Sequence, residues 1–308
     1  DIYKNMENNI LKKVTILENF SIKESENSFS WVKENVNEYH FYQGNSDVEL
    51  KLSPGYYGIM QNEDGYYLTS KEIKTGTPKN ENFVTFQKSV LKFADKETKL
   101  EYERFGLLYK RSNILYGPPG TGKSSWIKSV MKLLIEKEAI CISVTNIEQI
   151  KSIIKAIRQT NKDDLIFLLF EDVEGIFEIT NNSDILNFVD GNFDIKLDNL
   201  IFTYTTNFID KLPNNFINRP SRVDEYFYVG YPNAEEREEF LLKNIPKEIL
   251  NNGNFQISHA VNDVEHMSFA DIKEYITSIF ILKLPYSYVL GKLRRIIAMR
   301  PQSDAIYL

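Results

Sequence analysis

The sequence predicts an α/β fold: a parallel sheet carrying a phosphate-binding loop, closed by a C-terminal all-α lid and preceded by a small α+β domain. Three observations predict it. Gly117-Pro118-Pro119-Gly120-Thr121-Gly122-Lys123-Ser124 fits the phosphate-loop pattern G-x-x-x-x-G-K-S/T at every fixed position. Short apolar runs alternate with helix-period segments around it, the pattern that builds a parallel sheet. Beyond Pro232 the period is helical.

The loop stands in the context that its chemistry demands. Residues 113–116 form a short apolar strand before it, and 124–135 carry Ile127, Val130, Met131 and Leu134 at helical spacing after it. Such a helix aims its positive N-terminal end at bound phosphates. Gly117, Gly120 and Gly122 let the backbone wrap closely, so that its N–H groups converge on a polyphosphate. Lys123 then reaches the β and γ phosphates, and the Ser124 hydroxyl ligates Mg2+.

With 308 residues the chain has room for two or three domains. Its 42% hydrophobic and 26% charged residues are ordinary for a globular protein. The net charge of -6 gives no overall attraction for nucleic acid or an anionic membrane. Cys141, the single cysteine, has no intrachain disulfide partner, which suits a reducing compartment such as the cytoplasm. The longest strongly apolar run, 165–170, is too short to cross a bilayer, and no signal-peptide pattern opens the chain. No membrane segment is expected. The chain starts at Asp1, which leaves room for residues upstream. His40, His259 and His266 lack metal-ligand spacing.

In chain order, residues 1–22 read as an amphipathic helix with Ile10, Val14 and Leu17 on one face. Runs 39–43, 48–52, 57–61 and 66–73 read as strands, with turns at Ser53-Pro54-Gly55 and Asn62-Glu63-Asp64-Gly65. Residues 1–85 are therefore expected to be a β-rich domain. Its pairs Tyr56-Tyr57 and Tyr66-Tyr67 are cross-strand packing or a partner surface. Residues 75–82 read as a boundary loop and 83–102 as a connecting segment. The α/β domain spans 86–232, with strands at 113–116, 139–144, 165–170, 200–205 and 225–229. The lid spans 233–308, opens on a capping-box pair, Asn233 and Glu236, and continues in helices at 235–244, 269–283 and 288–299.

Three further motifs carry chemistry. The apolar run 165–170 delivers Glu171 and Asp172 at a strand end, beside the phosphate loop of a parallel sheet. One carboxylate organises a Mg2+ shell while its neighbour orients and deprotonates water. Asn207 leaves the end of the 200–205 strand, in reach of an attacking water and a γ-phosphate, or is a plain loop residue. Arg219 and Arg222 are three apart in Asn218-Arg219-Pro220-Ser221-Arg222-Val223-Asp224. They reach across a subunit boundary to a neighbour's phosphate, or they are salt-bridged surface residues.

Together, in this order and over about residues 105–285, the four motifs resemble the AAA family of ring-forming ATPases. Details resemble its Bcs-type branch, whose mitochondrial member is an assembly chaperone for the respiratory bc complex. They are Gly106-Leu107-Leu108-Tyr109-Lys110-Arg111, the order Glu171-Asp172, Ile185-Leu186-Asn187-Phe188-Val189-Asp190-Gly191, and Arg219-Pro220-Ser221-Arg222-Val223-Asp224. The resemblance implies ATP and Mg2+ as ligands and a homo-oligomeric ring of six or seven subunits. It places nucleotide contacts at Pro119, Gly120, Thr121, Gly122, Lys123, Ser124 and Ser125, with Gly106 near adenine. Ser124, Glu171 and Asp172 surround the metal; Glu171 takes the metal-organising place and Asp172 the water-activating place, and an exchange of duties stays open. Asn207 takes the sensor place, Arg219 and Arg222 the finger places, and Ser268-Phe269-Ala270-Asp271 the second-sensor helix start, where alanine brings no charge. Many AAA translocases grip polypeptide with an aromatic-hydrophobic-Gly loop. Thr145-Asn146-Ile147-Glu148-Gln149 stands there without an aromatic, which disfavours threading.

The expectation is an ATP-hydrolysing ring machine whose N-terminal domain engages a protein client. Two rivals remain. A DNA-associated loader would draw on Lys283, Lys292, Arg294, Arg295 and Arg300. A nucleotide-gated switch with little hydrolysis is kept open by the aspartate in the base position.

Overall fold

A computed structural model describes residues 12–13, 28–33, 37–44, 51–63, 65–76, 78–179, 182–191, 198–251 and 255–300. Its strands are β1 (Lys12–Lys13), β2 (Ser28–Lys33), β3 (Glu38–Gly44), β4 (Gly55–Asn62), β5 (Gly65–Ser70), β6 (Lys110–Tyr116), β7 (Ile140–Ser143), β8 (Ile166–Phe170), β9 (Leu200–Thr206) and β10 (Glu225–Tyr228). The helices of the first two-thirds are α1 (Glu81–Phe93), α2 (Lys96–Arg104), α3 (Lys123–Glu136), α4 (Ile147–Thr160), α5 (Val173–Ile179), α6 (Asn182–Asp190) and α7 (Asn214–Ile217). The lid follows with α8 (Ala234–Asn244), α9 (Lys247–Leu250), α10 (Ile257–Asp263), α11 (Phe269–Ile276) and α12 (Tyr286–Ala298).

The expected parallel sheet is present, in the order β7-β8-β9-β6-β10. Every residue of β7, β8 and β9 is buried, as befits strands covered on both faces. Alternate side chains feed two cores. Ile142, Leu168 and Phe202 pack with Ile150, Ile153 and Ile157 of α4. Cys141, Leu169 and Ile201 pack with Phe86 of α1 and Ile127 and Val130 of α3. Burial of Cys141 pushes its thiol well above the usual range, consistent with a core role.

The N-terminal strands extend this same sheet. β4 lies parallel to β7, with Gly55 opposite Ile140, and antiparallel to β5; β3 follows β5, and β1 and β2 both pair with β3. The expected break near residue 85 is therefore not a break in the sheet. β2 was unforeseen, and the expected strand 66–73 ends at Ser70. Of the expected run 48–52 only the last two residues are described, and they are not strand; buried Leu52 exchanges both backbone hydrogen bonds with the side chain of Asn161, which docks this segment on the end of α4. Lys12 and Lys13 pair as strand rather than helix, and the rest of the helix expected over 1–22 lies outside the described residues.

The segment 83–102 is two helices. Asn80 caps α1, which buries Phe83, Phe86, Val90 and Phe93. The 145–149 stretch is also a helix start: the Asn146 side chain accepts from the N–H groups of Glu148 and Gln149, and Ile147 is buried. In the lid, Asn233 and Glu236 form the expected capping box, and the run 269–283 divides into α11 and a π-helical turn, Thr277–Ile281. Leu241, Val264, Ile272 and Leu293 centre its own core. No helix among the described residues is long and apolar enough to cross a membrane.

Candidate nucleotide site

Register brings the chemistry together. Tyr116 pairs with Thr206, and Phe170 pairs with Tyr204, so the chain leaves β6, β8 and β9 side by side at their C-terminal ends. The phosphate loop, the Glu171-Asp172 pair and Asn207 emerge there. Two glycines are required by contact as well as by φ. At Gly117 (φ 145°) a Cβ would fall 2.3 Å from the carbonyl oxygen of Val229, and at Gly120 (φ 78°) 2.8 Å from Ala270 Cβ and Ser268 Oγ of the lid. The start of α11 thus rests directly on the phosphate loop.

Lys123 is 7% exposed, and its ammonium donates to Gly117 O (2.7 Å), Pro118 O (2.9 Å) and Asn207 Oδ1 (2.7 Å). Burial lowers its pKa to about 8, against the pull of the Asp172 and Glu174 carboxylates. Thr121 is buried, with its hydroxyl given to Pro118 O. The Ser124 hydroxyl donates to Glu171 Oε1 at 2.6 Å. Asp172 adopts φ 48°, donates its N–H to Thr205 Oγ1 (2.9 Å) and accepts Asn207 Nδ2 on Oδ1 (3.0 Å). Burial, then the nearby Glu174 charge, raise the Asp172 pKa.

This donor set fits Mg2+. Ser124 and Glu171 offer two hard oxygens facing one another, the partial set of an ion that takes its other ligands from phosphate and water. Among the described residues no group of three or more His, Cys, Asp or Glu forms a self-contained cage.

Pro119, Gly120, Gly122, Lys123, Ser124 and Ser125 line a cavity of about 640 Å³ together with Asp172 and Asn207; Thr121 and Glu171 are not part of its lining. Its far end was missed by sequence reasoning. Gly76, Pro78 and Lys79 face Glu239, Phe240 and Lys243 of α8 across it, beside Phe269. Lys79 pairs with Glu239 at 3.1 Å, and Asn80 Nδ2 donates to Glu236 Oε1 at 2.9 Å, tying the loop before α1 to the lid. The Gly76 and Pro78 signal was visible, but only as a loop.

Two expectations fall elsewhere. Gly106 does not line the cavity: it is the left-handed residue (φ 65°) ending α2, with its N–H on Glu103 O and that of Leu107 on Tyr102 O, a Schellman cap. Arg219 and Arg222 do not line it either. Arg222, 6% exposed, grips Asp190 through Nε (2.8 Å) and Nη2 (2.5 Å), and Arg219 Nη1 reaches the same carboxylate at 3.3 Å. The Arg222 bonds hold the Asp190 carboxyl below the usual range. Arg219 keeps 58% of its side chain exposed.

Comparison with known proteins agrees with this geometry. The chain is 25% identical over 217 residues to the Arabidopsis thaliana protein named AAA-ATPase ASD, mitochondrial, covering 56% of this chain and 41% of that protein. It is 32% identical over 152 residues to AAA-ATPase At2g18190 of the same plant, covering 42% and 29%, and 29% identical over 160 residues to AAA-ATPase At3g28570, mitochondrial, covering 45% and 34%. The match thus spans about a third of the length of these relatives. Residues 113–231 match the family described as "ATPase family associated with various cellular activities (AAA)"; that stretch holds the phosphate loop, which leaves β6 between β9 and β10, and is similar to that family's ATPase domain.

Proposed function

We propose that this chain hydrolyses ATP, assembles into a homo-oligomeric ring, and uses the resulting motion to remodel or assemble a protein client. One observation carries the reading: the unbroken hydrogen-bond chain Pro118–Lys123–Asn207–Asp172, beside the Ser124–Glu171 bond whose serine lines the same cavity. Lys123 exchanges its loop carbonyls for phosphate oxygens, placing positive charge where the leaving group gains negative charge. Mg2+, held at Ser124 and Glu171, supplies further charge neutralisation at the phosphates. Asp172 takes the proton of the attacking water, and Asn207 orients that water against the γ-phosphate. Glu171, bound to Ser124, keeps the metal duty, and Asp172, bound to Asn207, the base duty. The base and ribose go to the end lined by Pro78, Lys79, Phe240 and Phe269, in place of Gly106.

Within the family, the Bcs-type branch is the proposed position, on the Gly106–Arg111 lead-in and the Glu171-Asp172 order; the location proposed is the cytoplasm, on the lone cysteine. Of the two arginines, exposed Arg219 is the one proposed to reach a neighbour, while Arg222 builds the loop through Asp190. A DNA-associated role has less support: Lys292 is paired with Glu274 and Arg300 with Asp271.

The test is mass in solution by light scattering, with and without ATP and Mg2+, on wild type, Arg219→Ala and Arg222→Ala. The reading expects ATP to build a ring whose turnover collapses with Arg219→Ala. A monomer that hydrolyses ATP regardless of Arg219 would overturn the ring, and binding without turnover would leave a nucleotide-gated switch.

A further inference from the structure

Glu174 lies in the first turn of α5, two positions beyond Asp172, and no motif assigns it a part. Its Oε1 accepts the backbone N–H of Asn207 at 3.1 Å. Its Oε2 is buried and accepts no hydrogen bond among the described residues. A carboxylate oxygen buried without a hydrogen bond is a cost to a fold, so its presence calls for an explanation other than folding.

The neighbourhood of Asn207 supplies one. Three of its polar groups are engaged: Oδ1 by Lys123 (2.7 Å), Nδ2 by Asp172 (3.0 Å) and the backbone N–H by Glu174. The first two partners belong to the reaction. Lys123 is wanted by phosphate oxygens and Asp172 by water, so both side-chain bonds of Asn207 are exchanged when substrate enters. The bond to Glu174 is the one for which neither phosphate nor water competes. It also runs alongside the Asp172 N–H to Thr205 Oγ1 bond (2.9 Å), so two cross-links join the chain leaving β8 to the chain leaving β9.

We propose that Glu174 is a positioning residue, whose carboxylate holds the Asn207 backbone in place so that its amide stays aimed between Lys123 and Asp172 while those two take up substrate. The inference rests on the hydrolysis reading above. Because the role is that of a hydrogen-bond acceptor, glutamine fills it and alanine does not.

The experiment compares wild type, Glu174→Ala and Glu174→Gln in three readouts: steady-state kcat and KM for MgATP, affinity for MgADP by calorimetry, and hydrogen exchange of the peptide containing Asn207. Glu174→Ala is expected to lower kcat about tenfold to a hundredfold, the range for losing an outer residue that orients a reacting group. Its KM and MgADP affinity should stay within about threefold, with faster exchange at Asn207. Glu174→Gln should return kcat to within about threefold of wild type and restore the protection. The proposal is overturned if Glu174→Ala keeps its kcat, if affinity falls in step with kcat, or if Glu174→Gln does no better than alanine. A wild type without turnover defeats the hydrolysis reading instead, and the exchange of Asn207 then decides Glu174 alone: unchanged exchange in Glu174→Ala rejects it.

Discussion

The two ends of the cavity are built on different principles. At the phosphate end, Glu171, Asp172 and Asn207 follow the ends of β8 and β9, Lys123 and Ser124 open α3 after the loop that leaves neighbouring β6, and hydrogen bonds of 2.6–3.0 Å join Ser124 to Glu171 and Lys123 through Asn207 to Asp172. At the far end, the loop carrying Gly76, Pro78 and Lys79 faces α8 of the lid. The lid has a separate core, and the Lys79–Glu239 pair that joins the two sides is 73% and 58% exposed, a bond of little strength. One sheet fixes the groups proposed to react; a loop and a lid meet around the rest of the cavity. The difference teaches where chemistry and affinity should separate: substitutions at the phosphate end should strike kcat above all, and those at the far end the nucleotide affinity alone.

The largest effect should come from Lys123→Ala. Removing a pre-placed charge from a developing negative charge costs about 10²–10³-fold in rate, read as phosphate release at saturating MgATP. Turnover within tenfold of wild type would break the contrast at its strong end. Asp172→Asn should follow, with about a 10²-fold or greater loss in single-turnover hydrolysis and MgADP affinity nearly unchanged. A parallel loss of affinity would mean that Asp172 binds rather than reacts.

At the far end, Phe240→Ala should weaken MgADP binding by about tenfold, roughly 1.4 kcal/mol, while kcat at saturation holds. A fall in kcat without a change in affinity would merge the two ends into one. The smallest effects are those of pH. The Lys123 ammonium is held at about 8, below its ordinary 10.5, chiefly by burial. As pH rises through that value the folded chain releases a proton that the unfolded chain retains, so this residue's contribution to folding stability is flat below about pH 8 and increases up to about 10.5. Nucleotide affinity moves the other way, because phosphate binds the charged form: calorimetry above pH 8 should show weaker binding with proton uptake, and Lys123→Met should abolish the uptake. Uptake surviving that substitution would assign it to another group.

The phosphate end could be read in advance because its residues lie in unbroken stretches of chain with fixed spacing, and their placement is local. Gly117 to Ser124 needs only a strand before it and a helix after it. The five parallel strands were legible for a similar reason: strands covered on both faces read as apolar runs. β2 was not, since Ser28-Phe29-Ser30-Trp31 alternates over too few residues to stand out. The capping role of Gly106, outside the cavity lining, was not legible because one residue type serves both close approach to a ligand and a helix C-cap, and only the neighbouring hydrogen bonds show the cap.

What the sequence determined by itself is the phosphate loop, the carboxylate pair, the strand-helix alternation and the helical lid, all set by spacing along the chain. Tertiary structure decided which distant segments meet. It set β4 beside β7, Lys79 against Glu239 and the start of α11 on Gly120. It also clamped Arg222 on Asp190 and turned Glu174 toward the backbone of Asn207. Such contacts join residues tens or hundreds of positions apart, and the free energy that selects them comes from shared burial and exchanged hydrogen bonds, which no spacing along one chain records.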